Sequence, residues 1–195
     1  MPLRFDPDGS AFVVFRKHAA GPVGRAPAFG DAPLRSLDSG WTLSFQQHRG
    51  GPAESTKADT GSWSDSADPR VRYFSGTGTY ARDIEIPAQA LRQGRLILDL
   101  GEVRELVDVV VNGRPVRTLW KPPYRLDITD ALKPGSNRIE LRVTNLWVNR
   151  LIGDAQPGAE PITVTTLPTY KPGAPLAPSG LIGPVRLVVE IPAVD

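Results

Sequence analysis

Asp127 and Asp130 form the most suggestive carboxylate pair in this 195-residue chain. Splitting a glycosidic bond takes two such groups about 5 to 10 Å apart across a cleft. This pair flanks Thr129 and precedes Ala131-Leu132, where side-chain capping of a single helical turn explains both acids. The other acids fall mostly on the polar positions of alternating segments or in turns, so no catalytic residue is assigned. A Ser-His-Asp arrangement has little to draw on. His18 and His48 are the only histidines, both in loop-like segments, and no Gly-x-Ser-x-Gly elbow occurs. With no cysteine and two histidines, the usual ligands of a zinc site are scarce as well.

Aromatic and planar polar side chains offer a different chemistry. Sugars present flat C–H faces that stack on aromatic rings, and hydroxyls that need paired donors and acceptors. Trp120, Tyr124, Trp147, Asn149 and Arg150 have that character. A structural reading stands beside it: Trp120 and Trp147 plug the core or a seam to a neighbouring domain. Trp63, in a polar loop, is a weaker candidate for the same chemistry.

These residues sit among segments that alternate with period two. Trp41, Leu43 and Phe45 share one face, as do Tyr80, Ile84 and Ile86. Leu96, Leu98 and Leu100 repeat the pattern, and so do Val107, Val109 and Val111. Ile139, Leu141 and Val143 follow, then Val185, Leu187, Val189 and Ile191. Such alternation is what antiparallel strands packed on one side demand, and it predicts an all-β sandwich of about eight to ten strands. Asn112-Gly113 between two apolar runs predicts a type I′ hairpin, whose central positions both need positive φ. Lys133-Pro134-Gly135-Ser136-Asn137 predicts a second turn. Helix is expected only as short pieces, at residues 88–92 and at Thr129-Asp130-Ala131-Leu132. Residues 50–70 read as an exposed loop around Trp63, and the Pro-rich residues 153–180 as a packed irregular loop.

Composition excludes several classes. Lys plus Arg is 23 and Asp plus Glu 21, giving a net charge of +2 with both signs interspersed. No basic block argues for nucleic acid, and no apolar run approaches the ~20 residues of a membrane span. The first residues lack a signal-peptide plan, so a secreted or periplasmic parent would carry its signal elsewhere.

The order of motifs is distinctive. Gly78-Thr79-Tyr80 precedes Leu98-Asp99-Leu100-Gly101-Glu102-Val103 and Val109-Val110-Val111-Asn112-Gly113. Tyr124-Arg125-Leu126-Asp127-Ile128-Thr129, Leu132-Lys133-Pro134-Gly135-Ser136-Asn137 and Val143-Thr144-Asn145 follow. This order resembles the sugar-binding jelly-roll domain of glycoside hydrolase family 2. Arg72-Tyr73-Phe74-Ser75-Gly76-Thr77, Leu119-Trp120-Lys121-Pro122-Pro123-Tyr124 and Asn145-Leu146-Trp147-Val148-Asn149-Arg150-Leu151-Ile152-Gly153-Asp154 narrow it, with Ser179-Gly180-Leu181-Ile182-Gly183-Pro184-Val185. Together they are similar to the C-terminal domain of family 106 α-L-rhamnosidases, over about residues 36–192.

The resemblance implies a galactose-binding-like β-sandwich (jelly roll) over residues 36–195. It implies a linker over 18–35, and over 1–17 the remnant of a preceding domain's last strand. It implies a bacterial, non-catalytic module whose partners are the catalytic domain of a parent glycosidase and a plant or bacterial polysaccharide. Catalytic carboxylates would lie in an upstream barrel, which takes about 250 residues and has no room here. An autonomous lectin-like module and a stand-alone glycosidase are the alternatives. Sandwiches of this kind often hold a structural Ca²⁺ through loop oxygens, for which Asp65, Asp68, Asp127 and Asp154 are candidates; no other cofactor is expected. Tyr73, Phe74 and Trp120 are the residues expected at the domain interface.

Overall fold

The computed structural model describes residues 29–192 and, before them, Ser10, Phe12 and Val14. The remnant strand expected over 1–17 and most of the expected linker therefore lie outside the described residues, save those three positions.

The six alternating segments are strands, and every pairing between named strands is antiparallel. One sheet holds β1 (Phe29–Ser36), β5 (Arg95–Asp99), β9 (Arg125–Asp127) and β12 (Arg186–Pro192), in the order β1-β12-β5-β9. The second holds β2 (Trp41–Phe45), β3 (Thr56–Ala58), β4 (Thr77–Ile86), β7 (Leu106–Val111), β8 (Arg114–Leu119) and β10 (Gly135–Thr144), in the order β3-β2-β4-β10-β7-β8. A short ribbon pairs β6 (Glu102–Arg104) with β11 (Gly180–Gly183). The twelve described strands exceed the expected number because β3, β6, β9 and β11 are three or four residues long, too short to show alternation.

The alternating faces meet in one core. Trp41, Leu43, Tyr80, Ile84, Val107, Val109, Ile139, Leu141 and Val143 come from the larger sheet, and Leu96, Leu98, Leu126, Leu187 and Val189 from the smaller. Removing this much apolar surface from water is the main driving force for the fold. Hairpin β7–β8 turns through Asn112 (φ 51°) and Gly113 (φ 77°), the two positive angles the type I′ turn requires. The short helical pieces are α1 (Pro69–Arg72), α2 (Ala90–Gln93), α3 (Val148–Asp154) and single 3₁₀ turns at Trp63–Asp65 and Thr129–Ala131.

Three expectations are corrected. The end of the stretch read as linker is β1, an edge strand paired only with β12. Gly30 and Pro33 disguise it, and its register shifts between Pro33 and Arg35. Trp63 is not an exposed loop residue but core, 3% exposed. It stacks on Tyr80 at 6.3 Å and meets Phe45 and Phe74 edge-on. Its ring fits because Gly78 and Gly180 lie against it; a Cβ at either would come within 2.7 Å of the indole. Helix, expected only at residues 88–92 and 129–132, also forms at α1 and at α3, which begins just after Trp147.

Candidate functional site

The register of the larger sheet gathers the candidate residues at one end of the sandwich. Phe45 pairs with Gly78, Val143 with both Gly78 and Val107, and Val107 with Leu119. The chain therefore leaves the sheet at this end toward Gln46–Arg49, toward Trp120 and toward Trp147, and enters it from Phe74-Ser75-Gly76. Asn145 straps the end together. Its amide donates to the Phe74 carbonyl at 2.8 Å and accepts from the Gly76 N–H at 2.9 Å.

Two clefts open there. The first, about 440 Å³, has Trp120 at its rim, 71% exposed, beside Glu102, Arg104, Glu105, Lys121 and Tyr124. Arg104 and Glu102 form an exposed ion pair at 2.7 Å. Tyr124 is buried and belongs to the wall: its hydroxyl donates to the Glu105 carbonyl at 2.6 Å, and burial pushes its pKa up.

The second cleft, about 200 Å³, lies between the loop after β2, the start of α3 and residues 162–164. Trp147 is 54% exposed, and the Arg49 guanidinium sits 6.0 Å from its ring centroid, within cation–π range. Arg150 is 9% exposed. Its Nε lies 2.9 Å from Asp154 as an ion pair without an aligned hydrogen bond. Burial raises the Asp154 pKa, but Thr163, the Ile162 N–H and the Arg150 charge outweigh it and hold the carboxyl below its ordinary range.

The five candidate sugar ligands thus divide. Trp120 and Trp147 are solvent-facing in separate clefts and do not plug the core. Tyr124 is wall. Asn149 is buried, donating to the Ala177 carbonyl at 2.7 Å and accepting from its N–H at 2.8 Å, so it anchors the Pro-rich loop. Arg150 is the charged candidate that joins burial to a position on a cleft. Of the expected interface residues, Trp120 is exposed, Tyr73 is half-buried and Phe74 is fully buried in the core.

The calcium candidates are not brought together. Asp68 caps α1 and pairs with Arg70 at 2.7 Å. Asp127 accepts from the Thr129 N–H and hydroxyl. Asp154 holds Arg150 and Thr163, and Asp65 lies on the 3₁₀ turn after Trp63. Among the described residues no group of three or more His, Cys, Asp or Glu side chains is arranged to hold a metal ion. Asp127 and Asp130 flank a shallow cleft with Arg114 and Pro115, and Asp127 is engaged in the capping foreseen for it. Sequence reasoning missed His48 and Arg49 as cleft residues, and nothing in the local pattern marks them. Among the described residues, no helix is long and apolar enough to cross a membrane.

No family model matches the chain. It is similar to a rhamnosidase from Novosphingobium sp. PP1Y, at 49% identity and a TM-score of 0.82, over 89% of this chain and 16% of that one. It is 38% identical over 155 residues to a protein of Formosa agariphila provisionally named a β-glucuronidase, covering 67% of this chain and 13% of the relative. A Lactobacillus rhamnosus β-glucuronidase shares the fold at 24% identity, with a TM-score of 0.56 over 88% of this chain and 30% of that chain. These relatives are glycoside hydrolases. The chain spans about a sixth or less of the length of the first two.

Proposed function

We propose that this chain is a non-catalytic, galactose-binding-like (jelly-roll) module of a bacterial glycoside hydrolase of the family 106 α-L-rhamnosidase kind. It stabilises the catalytic domain and extends or shapes its substrate cleft. The observation that carries this reading is the match to the Novosphingobium rhamnosidase: nearly half the residues identical across almost the whole chain, in one small part of that enzyme. The domain division follows from the same resemblance, with β1 (Phe29–Ser36) counted in the module. The exposed Trp120 and Trp147 at one end of the sandwich suit contact with either a neighbouring domain or a sugar.

An autonomous carbohydrate-binding module is the second reading, favoured by that same pair of exposed indoles. Assay of the purified chain on an aryl α-L-rhamnoside, with calorimetric titration of L-rhamnose in parallel, separates the readings. The module reading expects no aglycone release and no heat of tight binding. Sub-millimolar rhamnose affinity favours the second reading, and rhamnose release would overturn both.

A further inference from the structure

We infer that the cleft at Trp147 binds an acidic sugar unit, one carrying a carboxylate or a sulfate ester. The inference deepens the module reading and rests on it for the expectation of a carbohydrate ligand. Three features of the cleft converge on that ligand.

The first is shape. The cleft's volume of about 200 Å³ is at the scale of a single sugar ring, and one side is the half-exposed face of Trp147. Ile162 and Val164 bring apolar side chains to the opposite loop, with Val164 95% exposed. Aromatic and aliphatic surfaces with a few convergent polar groups are the usual make-up of a small-ligand site.

The second is charge. The ionisable groups lining the cleft are His48, Arg49 and Arg150, with no carboxylate among them. Asp154 lies one turn along α3 from Arg150, pairs with its Nε at 2.9 Å and lines an adjoining hollow that shares Thr163 and Val164 with the cleft. Arg49 is exposed and lies over the indole ring, so an anionic group on a sugar in the cleft would lie within its reach.

The third is a largely buried arginine on the cleft wall. Arg150 is nine-tenths buried and pairs with Asp154 through Nε at 2.9 Å. Its main-chain N–H is held by Ser75 Oγ at 3.3 Å. One terminal nitrogen lies against Gly50, where a Cβ would come within 3.3 Å of it. A guanidinium on the cleft wall suits a planar or tetrahedral oxyanion, which it can meet through two charge-assisted hydrogen bonds. A neutral sugar would leave those donors less well matched.

The full chain, labelled with ¹⁵N, reports on this directly through its tryptophan indole resonances. Trp147 is the reporter, exposed Trp120 the internal control, and buried Trp41 and Trp63 report fold integrity. D-glucuronate, a glucose sulfate ester and L-rhamnose are titrated separately. The expected result is a saturable shift of the Trp147 signal with one or both acidic sugars, fading as salt is raised, while Trp120 stays in place. A response to glucuronate alone assigns the carboxylate, and a response to the sulfate ester alone assigns the sulfate. Arg49→Gln, an exposed change, should weaken binding about tenfold and leave the Trp41 and Trp63 signals unmoved. No shift with either acidic sugar, or an equal shift with rhamnose, would overturn the inference. Neither result bears on the module reading, which the rhamnoside assay tests by itself.

Discussion

Trp63 and Tyr80 show at the scale of single residues how far burial depends on partners distant in sequence. The indole N–H donates to the Tyr80 hydroxyl at 2.6 Å inside the core. Burial pushes the Tyr80 pKa up to about 12, against the opposing effect of the Trp63 hydrogen bond. The sign follows from that direction: the folded state resists ionisation, so the unfolded chain loses its phenolic proton first. The associated stability is complete below pH ~10 and is lost as pH rises to ~12, a fall of about 2 to 3 kcal/mol. Urea titrations across that range should show the fall in the native chain and a flatter profile in Tyr80→Phe. At neutral pH the same variant should lose about 1 to 3 kcal/mol, because the Trp63 N–H is left buried without an acceptor. None of this was legible around Trp63 itself. Ser62, Ser64 and Asp65 give it a polar setting, and the two glycines that admit the ring stand elsewhere in the chain.

At the scale of elements, legibility tracked length and regularity. The long strands were readable because their inward residues recur every second position, as in Ile139, Leu141 and Val143. The β7–β8 turn was readable because Asn112-Gly113 is a chemical requirement of its geometry. Gly113 has open space around its Cα, so Gly113→Ala tests the backbone term with no packing change. The expected cost is about 1 kcal/mol in a denaturant titration, with the fold and its indole signals intact. Strand β1 was hidden because an edge strand with one partner tolerates Gly30 and Pro33. Helix α3 was hidden because seven residues carry too few turns to establish a period of 3.6. Its consequence for the candidate site is direct: the helix turns Asn149 inward to hold the Pro-rich loop and leaves Trp147 at the surface.

At the scale of the whole molecule, the sheet register brings Gln46–Arg49, Ser75, Trp120 and Trp147 to one end of the sandwich. That end carries both exposed indoles and both clefts described above, so substrate contact and domain contact compete for the same surface. Residue chemistry made Trp120 and Trp147 legible as candidates, but their assembly at one end is a property of strand pairing. The larger claim is that the chain acts as a structural part of a hydrolase. The most direct measurement is a replacement in the Novosphingobium rhamnosidase, in which the matching sixth of the enzyme is exchanged for this chain. Rhamnoside hydrolysis and the melting temperature are then compared with those of the parent enzyme and of a variant lacking the segment. The account expects the exchanged enzyme to keep its turnover and melt near the parent, while the shortened one melts well below it. A shortened enzyme as stable and active as its parent, or an exchanged one that fails to fold or turn over, would contradict the claim.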